Sequence, residues 1–204
     1  MNILRLALED LHRADVVKRL VAGAAQGDVG AFLGAASQIT WSGGWADALR
    51  DLMPLGTVPD AIQHAFQAAW QASASDALGL KRTMTLDLLG RDRLLLDGLA
   101  LLLPAPAGPM PALLYRAQLL RDYRALRIGC WWTSEREHAY VLWLGTSGAG
   151  EHVGDHVLLE AQAQPGAIVH GTADDLEIVL DPSRLAAIRV AGVRRNPEVE
   201  KIAA

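Results

Sequence analysis

The chain of 204 residues is poor in the features that most readily betray a function. It has a single cysteine, Cys130. One thiol makes no internal disulfide, and no Cys/His group has zinc-finger spacing. A reducing cytoplasm suits such a chain. Cys130 reads as a small buried strand residue, with a nucleophile as the alternative. No basic block stands out, and the formal net charge is only −4, so charge gives no support to nucleic-acid binding. The N-terminus MNILRLALEDLHRADVV carries charges every few residues and is not the apolar core of a signal peptide. The longest apolar run, LLLDGLALLLPAPAG, holds Asp97 and stops at Pro104. It falls short of the roughly 20 residues that span a bilayer. A cytoplasmic protein is expected, with no membrane partner; export by a dedicated secretion machine stays open. No internal repeat is evident. The loop Gly145–Gly154 lacks the Lys-Ser/Thr of a P-loop. His152 and His156 are four apart, but Gly154 between them argues against a helix presenting both to a metal.

What is present is apolar content, 51% of residues, enough for a sizeable core. Residues 2–36 read as helical from the spacing of Ile3, Leu4, Leu8, Leu11, Val16, Val17, Leu20 and Val21. A break near Gly27, with Asp28 as N-cap, divides the stretch. Ser42-Gly43-Gly44 reads as a turn, with Trp41 and Trp45 flanking it and closing over a core edge. A short helix from Trp45 to Met53 ends before Pro54. A further helix runs from about Pro59 to Ala77, with Ile62, Phe66, Ala69 and Trp70 on one face. Another runs from about Arg91 to Leu102. The four prolines in Pro104–Ala112 form a stiff connector. The expected division is a helical region over 1–103 and a second domain over 104–204, with one continuous globule as the alternative.

Beyond the connector the pattern changes. ALLYRAQ, CWWTS, DHVLLEAQAQ, AIVHGT and LEIVLDP read as strands. SEREHAYVLWLG reads as a helix capped by Ser134. Three fragments occur in order: LLYRAQ at Leu113–Gln118, GCWWTSEREHA at Gly129–Ala139 and DDLEIVLDP at Asp174–Pro182. On a strand, Asp175 and Glu177 point one way and Leu176, Ile178 and Leu180 the other.

In this order the fragments resemble the NAD-dependent ADP-ribosyltransferases, in the bacterial and phage form with an Arg, a Ser-x-Thr segment and a Glu. The likeness covers the C-terminal half alone. It implies an α+β fold: an N-terminal helical region, then a split, mostly antiparallel β-sheet with NAD between its halves. It implies that Arg116 holds the NAD phosphates or ribose and that Tyr115 and Trp132 wall the cleft. Thr133 or Ser134 would position the catalytic carboxylate. Glu177 would stabilise the oxocarbenium-like transition state, and Asp175 would orient the acceptor. NAD would be substrate, and a protein target the acceptor, as in an effector, toxin or phage-encoded factor. The sequence departs from the family at Trp131, an indole where a small serine is expected. That departure keeps two alternatives open: a non-catalytic binding or inhibitor protein of the same fold, or an NAD glycohydrolase. His170 stands in the loop before the Glu177 segment.

Overall fold

The computed structural model describes residues 3–72, 79–108, 111, 113–141, 154–164, 166–172 and 175–194, with residues 3–10 described in backbone only. Residues 145–153 of the glycine-rich loop singled out above, His152 among them, lie outside that set, as does the expected helix beyond Val141. Two compact units divide the chain, Met1–Pro104 and Ala105–Ala204.

The first unit is helical. Helix α1 (Ile3–Gln26) buries Val16, Val17, Leu20 and Ala24 along one stripe. It stops at Gly27, whose φ of 70° is open to glycine. The Asp28 amide then donates to the Gly23 carbonyl at 2.9 Å. Asp28 is the N-cap of α2 (Val29–Ser42), its carboxylate accepting from the Ala31 amide at 3.0 Å. The expected break and cap are both present. Gly43 and Gly44, each with positive φ, turn the chain into α3 (Trp45–Leu52). Trp45 is wholly buried, whereas Trp41 is 78% exposed, so only one of the two flanking indoles closes over the core. After a 3₁₀ turn at Met53–Leu55 comes α4 (Asp60–Ala72), then α5 (Leu80–Asp87) and α6 (Asp92–Leu102). Phe66 of α4 sits at the centre of an aromatic group: its ring lies 6.3 Å from Phe32, 6.4 Å from Trp45 and 5.8 Å from Trp70. Helices α3 and α6 approach closely where Gly98 faces Leu49; a Cβ there would lie 2.5 Å from the Leu49 side chain.

The second unit is α+β, with two antiparallel three-stranded sheets among the described residues. Strand β1 (Leu114–Leu119) pairs with β3 (His156–Ala161), which pairs with β6 (Ile188–Arg194). Strand β2 (Trp131–Trp132) pairs with β5 (Ile178–Leu180), which pairs with β4 (Ile168–His170). A five-residue helix, α7 (Leu120–Arg124), follows β1 directly. Among the described residues one backbone bridge joins the two sheets: Tyr115 and Thr133 exchange both backbone hydrogen bonds, at 2.8 and 3.0 Å. The core is made by Leu114, Trp132, Val157, Leu159, Ile178 and Leu180, drawn from both sheets. The other face of the first sheet holds Ala117, Leu119 and Leu158, covered by Ala139 and Tyr140. This is the alternation that a strand between two packed layers imposes.

Candidate functional site

The geometry of the site follows from that single joint. Trp132 stands opposite Ile178 on β5, and the Leu180 amide donates to the Cys130 carbonyl at 2.9 Å. The β2–β5 ladder ends at the Trp132–Ile178 pair: Thr133 bridges to Tyr115, and Glu177 is the residue just before β5. Trp132 and Ile178 both point into the core, so Thr133, next on from Trp132, takes the opposite face. Tyr115, the direct partner of Thr133, shares its face. Across β1, Tyr115 is also opposite Glu160. The chain thus lays Glu160, Tyr115 and Thr133 in one row. Thr133 is wholly buried, and Glu177 is partly exposed. Gly171, with φ of 96°, brings the end of β4 against Glu177; a Cβ there would lie 2.8 Å from the Glu177 carbonyl oxygen.

Arg116 belongs to the other face of β1, opposite Leu159 of the core. Its Nη1 donates to the Trp131 carbonyl at 2.7 Å, and its Nε donates to Gln118 Oε1 at 2.9 Å. Gln118 is 2% exposed. Its amide nitrogen donates in turn to the Arg127 carbonyl at 3.0 Å. The guanidinium therefore reaches β2 by gripping its backbone one residue from Trp132 and two from Thr133.

Several expectations change. Trp132 is wholly buried in the core and its indole N–H donates to the Gly129 carbonyl at 3.0 Å. A side chain enclosed in that way packs between the sheets and does not wall an open cleft. Trp131, 5% exposed, lies on the face of Thr133. The helix does not start directly after Ser134. Thr133 Oγ1 accepts from the Glu135 amide at 3.1 Å, and helix begins only at His138. The Glu177 strand is shorter than expected. It spans only Ile178–Leu180, so Glu177 just precedes it, and Asp175 lies farther back and is exposed. Its carboxylate closes a local turn, accepting from the Thr172 amide at 2.7 Å and the Thr172 hydroxyl at 3.0 Å. Asp175 and Glu177 are therefore not neighbours on one strand face, and Leu176 is 47% exposed. The Asp181-Pro182 stop is present: Asp181 Oδ1 accepts from the Ser183 amide at 3.0 Å. Cys130 is buried.

One acid escaped the sequence reading. Glu160 is 7% exposed and is paired with the largely exposed Arg189 of β6. The signal for it was a lone carboxylate inside the apolar run VLLEA. A buried carboxylate needs such a partner to remain charged. Nearby, Arg194 lies 5.8 Å from the Tyr140 ring. Burial pushes the Tyr140 phenol above its usual value, and Arg194 and Arg136 pull it partly back. Among the described residues no cluster of metal-ligating side chains is found and no helix is long and apolar enough to cross a membrane. No protein-family model matches the chain, and no curated protein or solved structure matches it.

Proposed function

We propose that the second unit is an ADP-ribosyltransferase-like domain that binds NAD and transfers ADP-ribose to a protein target. The observation that carries this reading is the joint of two antiparallel sheets at Tyr115 and Thr133, with β5, which Glu177 immediately precedes, paired to the strand that ends at Trp132. Breaking the nicotinamide–ribose bond builds positive charge on the ribose. A carboxylate held by a neighbouring hydroxyl is the group that stabilises such charge. Glu177 takes that role and Thr133 positions it. Tyr115 borders Thr133; Arg116 leaves β1 on the opposite face, bonded to the Trp131 carbonyl and Gln118, so its role toward the diphosphate rests on the resemblance and not on this geometry. The acceptor-orienting role that the resemblance implies for Asp175 loses support, because its carboxylate is engaged in a turn.

A second reading is favoured by Trp131. Its indole is buried on the face of Thr133, where the resemblance implies a small hydroxyl. A domain of the same shape that binds a partner without turnover fits that feature.

Nicotinamide release from NAD by the purified protein, with and without cell lysate, separates these. Glu177→Gln keeps the size and removes the charge. Release by the native chain should fall by about two to three orders of magnitude in the variant, the range seen when one preorganised electrostatic group is lost. Release that rises with lysate indicates transfer, and release indifferent to lysate indicates hydrolysis. If the native chain releases nothing and its melting is unmoved by NAD, the binding-protein reading takes over.

A further inference from the structure

We infer that Gln118 and Gly129 are positioning residues that fix the Arg116 guanidinium. The inference rests on the NAD-binding reading for its functional consequence, though not for its geometry. Three observations converge on one head group. Gln118, almost wholly buried, accepts from Arg116 Nε and donates its own amide hydrogen to the Arg127 carbonyl. It is therefore tied at both ends, between β1 and the segment leading to β2. The Trp131 carbonyl accepts from Nη1. Gly129 leaves the third side open: a Cβ there would lie 2.2 Å from Nη2, 2.5 Å from Cζ and 3.1 Å from Nη1. Gly129 has no positive φ, so its backbone would accept alanine. The space, and not the conformation, demands glycine.

The carbonyl of the same Gly129 accepts from the Trp132 indole. The segment is thus pinned from the core on one side and against the guanidinium on the other. An arginine side chain has several rotatable bonds, and holding it in one pose removes that freedom before a ligand arrives. A guanidinium fixed in this way holds β2 against β1 through the Trp131 carbonyl and, on the NAD reading, is preset for phosphate oxygens. In both cases Gln118 and Gly129 act through Arg116 and touch no substrate.

The test is a cycle on the full chain: native, Arg116→Ala, Gly129→Ala and the double variant, each melted and each assayed for nicotinamide release. Gly129→Ala alone should lower the melting temperature, and in the Arg116→Ala background it should cost little, because the clashing head group is gone. Costs that simply add overturn the inference. The kinetic arm uses Gln118→Leu and Gln118→Glu, which escape the risk that Gly129→Ala fails to fold. Leucine fills the space without an acceptor and should raise KM for NAD by about tenfold or more with kcat within about threefold, the mark of lost binding and not lost chemistry. Glutamate restores an acceptor for Nε and should recover most of that loss. A Gln118→Leu variant with native KM, beside an Arg116→Ala variant whose KM is raised, overturns the role given to Gln118. If the native chain neither turns over NAD nor is stabilised by it, the NAD reading fails, and the melting cycle still decides the clamp.

Discussion

Two helices of this chain end in the same bonded motif with different residues at its critical position. At the end of α1 the Asp28 amide bonds back to the Gly23 carbonyl and the Gly27 amide to the Ala24 carbonyl. At the end of α7 the Arg127 amide bonds to the Asp122 carbonyl and the Leu126 amide to the Tyr123 carbonyl. Both are Schellman ends, which place one residue in the left-handed region. Gly27 occupies it at φ of 70°, and Leu126 at φ of 57°. The leucine side chain gains nothing in return, being 85% exposed. For a residue with a Cβ that region costs about 1–2 kcal/mol. Glycine avoids this cost but loses about 0.5–1 kcal/mol through the freedom it adds to the unfolded chain. Leu126→Gly should therefore stabilise the second unit by several tenths to about 1 kcal/mol, read as a rise in the urea midpoint at unchanged slope. The exposed Leu126 side chain takes no part in the Gln118 bond to the Arg127 carbonyl, and the turn is kept, so KM for NAD should stay at the native value. A fall in the midpoint would show that Leu126 is held by something stronger than its turn.

Among the elements, the boundary between α2 and α3 shows how a distant residue completes a turn. The first amides of α3 have no intrahelical partner. Gly44 supplies no capping side chain, and Asp87 at the end of α5 takes the place of one: its Oδ2 accepts from the Gly44 amide at 2.9 Å and the Trp45 amide at 3.2 Å. Asp87→Ala should cost about 1–2 kcal/mol, as loss of a good N-cap does, and chemical unfolding followed by tryptophan fluorescence would register it. A neutral outcome would mean that solvent caps α3 as well as Asp87 does. The same contrast between local and distant determinants explains which elements could be read in advance. Asp28 as cap, Ser42-Gly43-Gly44 as turn and Pro54 as stop act on their own neighbours and were legible. Strand β1 was legible for the same reason. Helix α5 was not, because Leu86 and Leu89 are exposed and blur its apolar spacing. Strand β6 was not, because it carries arginines beside half-exposed Val190 and Val193 and shifts register against β3. The engagement of Arg116 with the Trp131 carbonyl, 15 residues away, and the need for Gly129 beside it depend on chain segments that meet only in the fold. The burial of Trp132 is of the same kind. Strand alternation alone allowed either Trp131 or Trp132 to face the core, and the pairing of Trp132 with Ile178 decides it.

For the molecule as a whole, the proposed chemistry belongs to one unit. Tyr115, Arg116, Gln118, Gly129, Thr133 and Glu177 all lie within Ala105–Ala204, and the core beneath them is drawn from strands of that unit alone. Met1–Pro104 has its own core around Phe66. A unit with its own core is a candidate to fold alone. The reading therefore divides labour, with NAD chemistry in the second unit and recognition of a protein target in the first. Residues 105–204 expressed alone should bind NAD with a Kd within about tenfold of the full chain, a difference of no more than about 1.4 kcal/mol. The fragment should release nicotinamide without lysate at a comparable rate and should lose whatever stimulation lysate gives the full chain. Isothermal calorimetry and the release assay read these separately. A folded fragment that fails to bind NAD would mean that the helical unit completes the cofactor site. A fragment that binds NAD and is still stimulated by lysate would place target recognition on the sheets, and the helical unit would need another explanation.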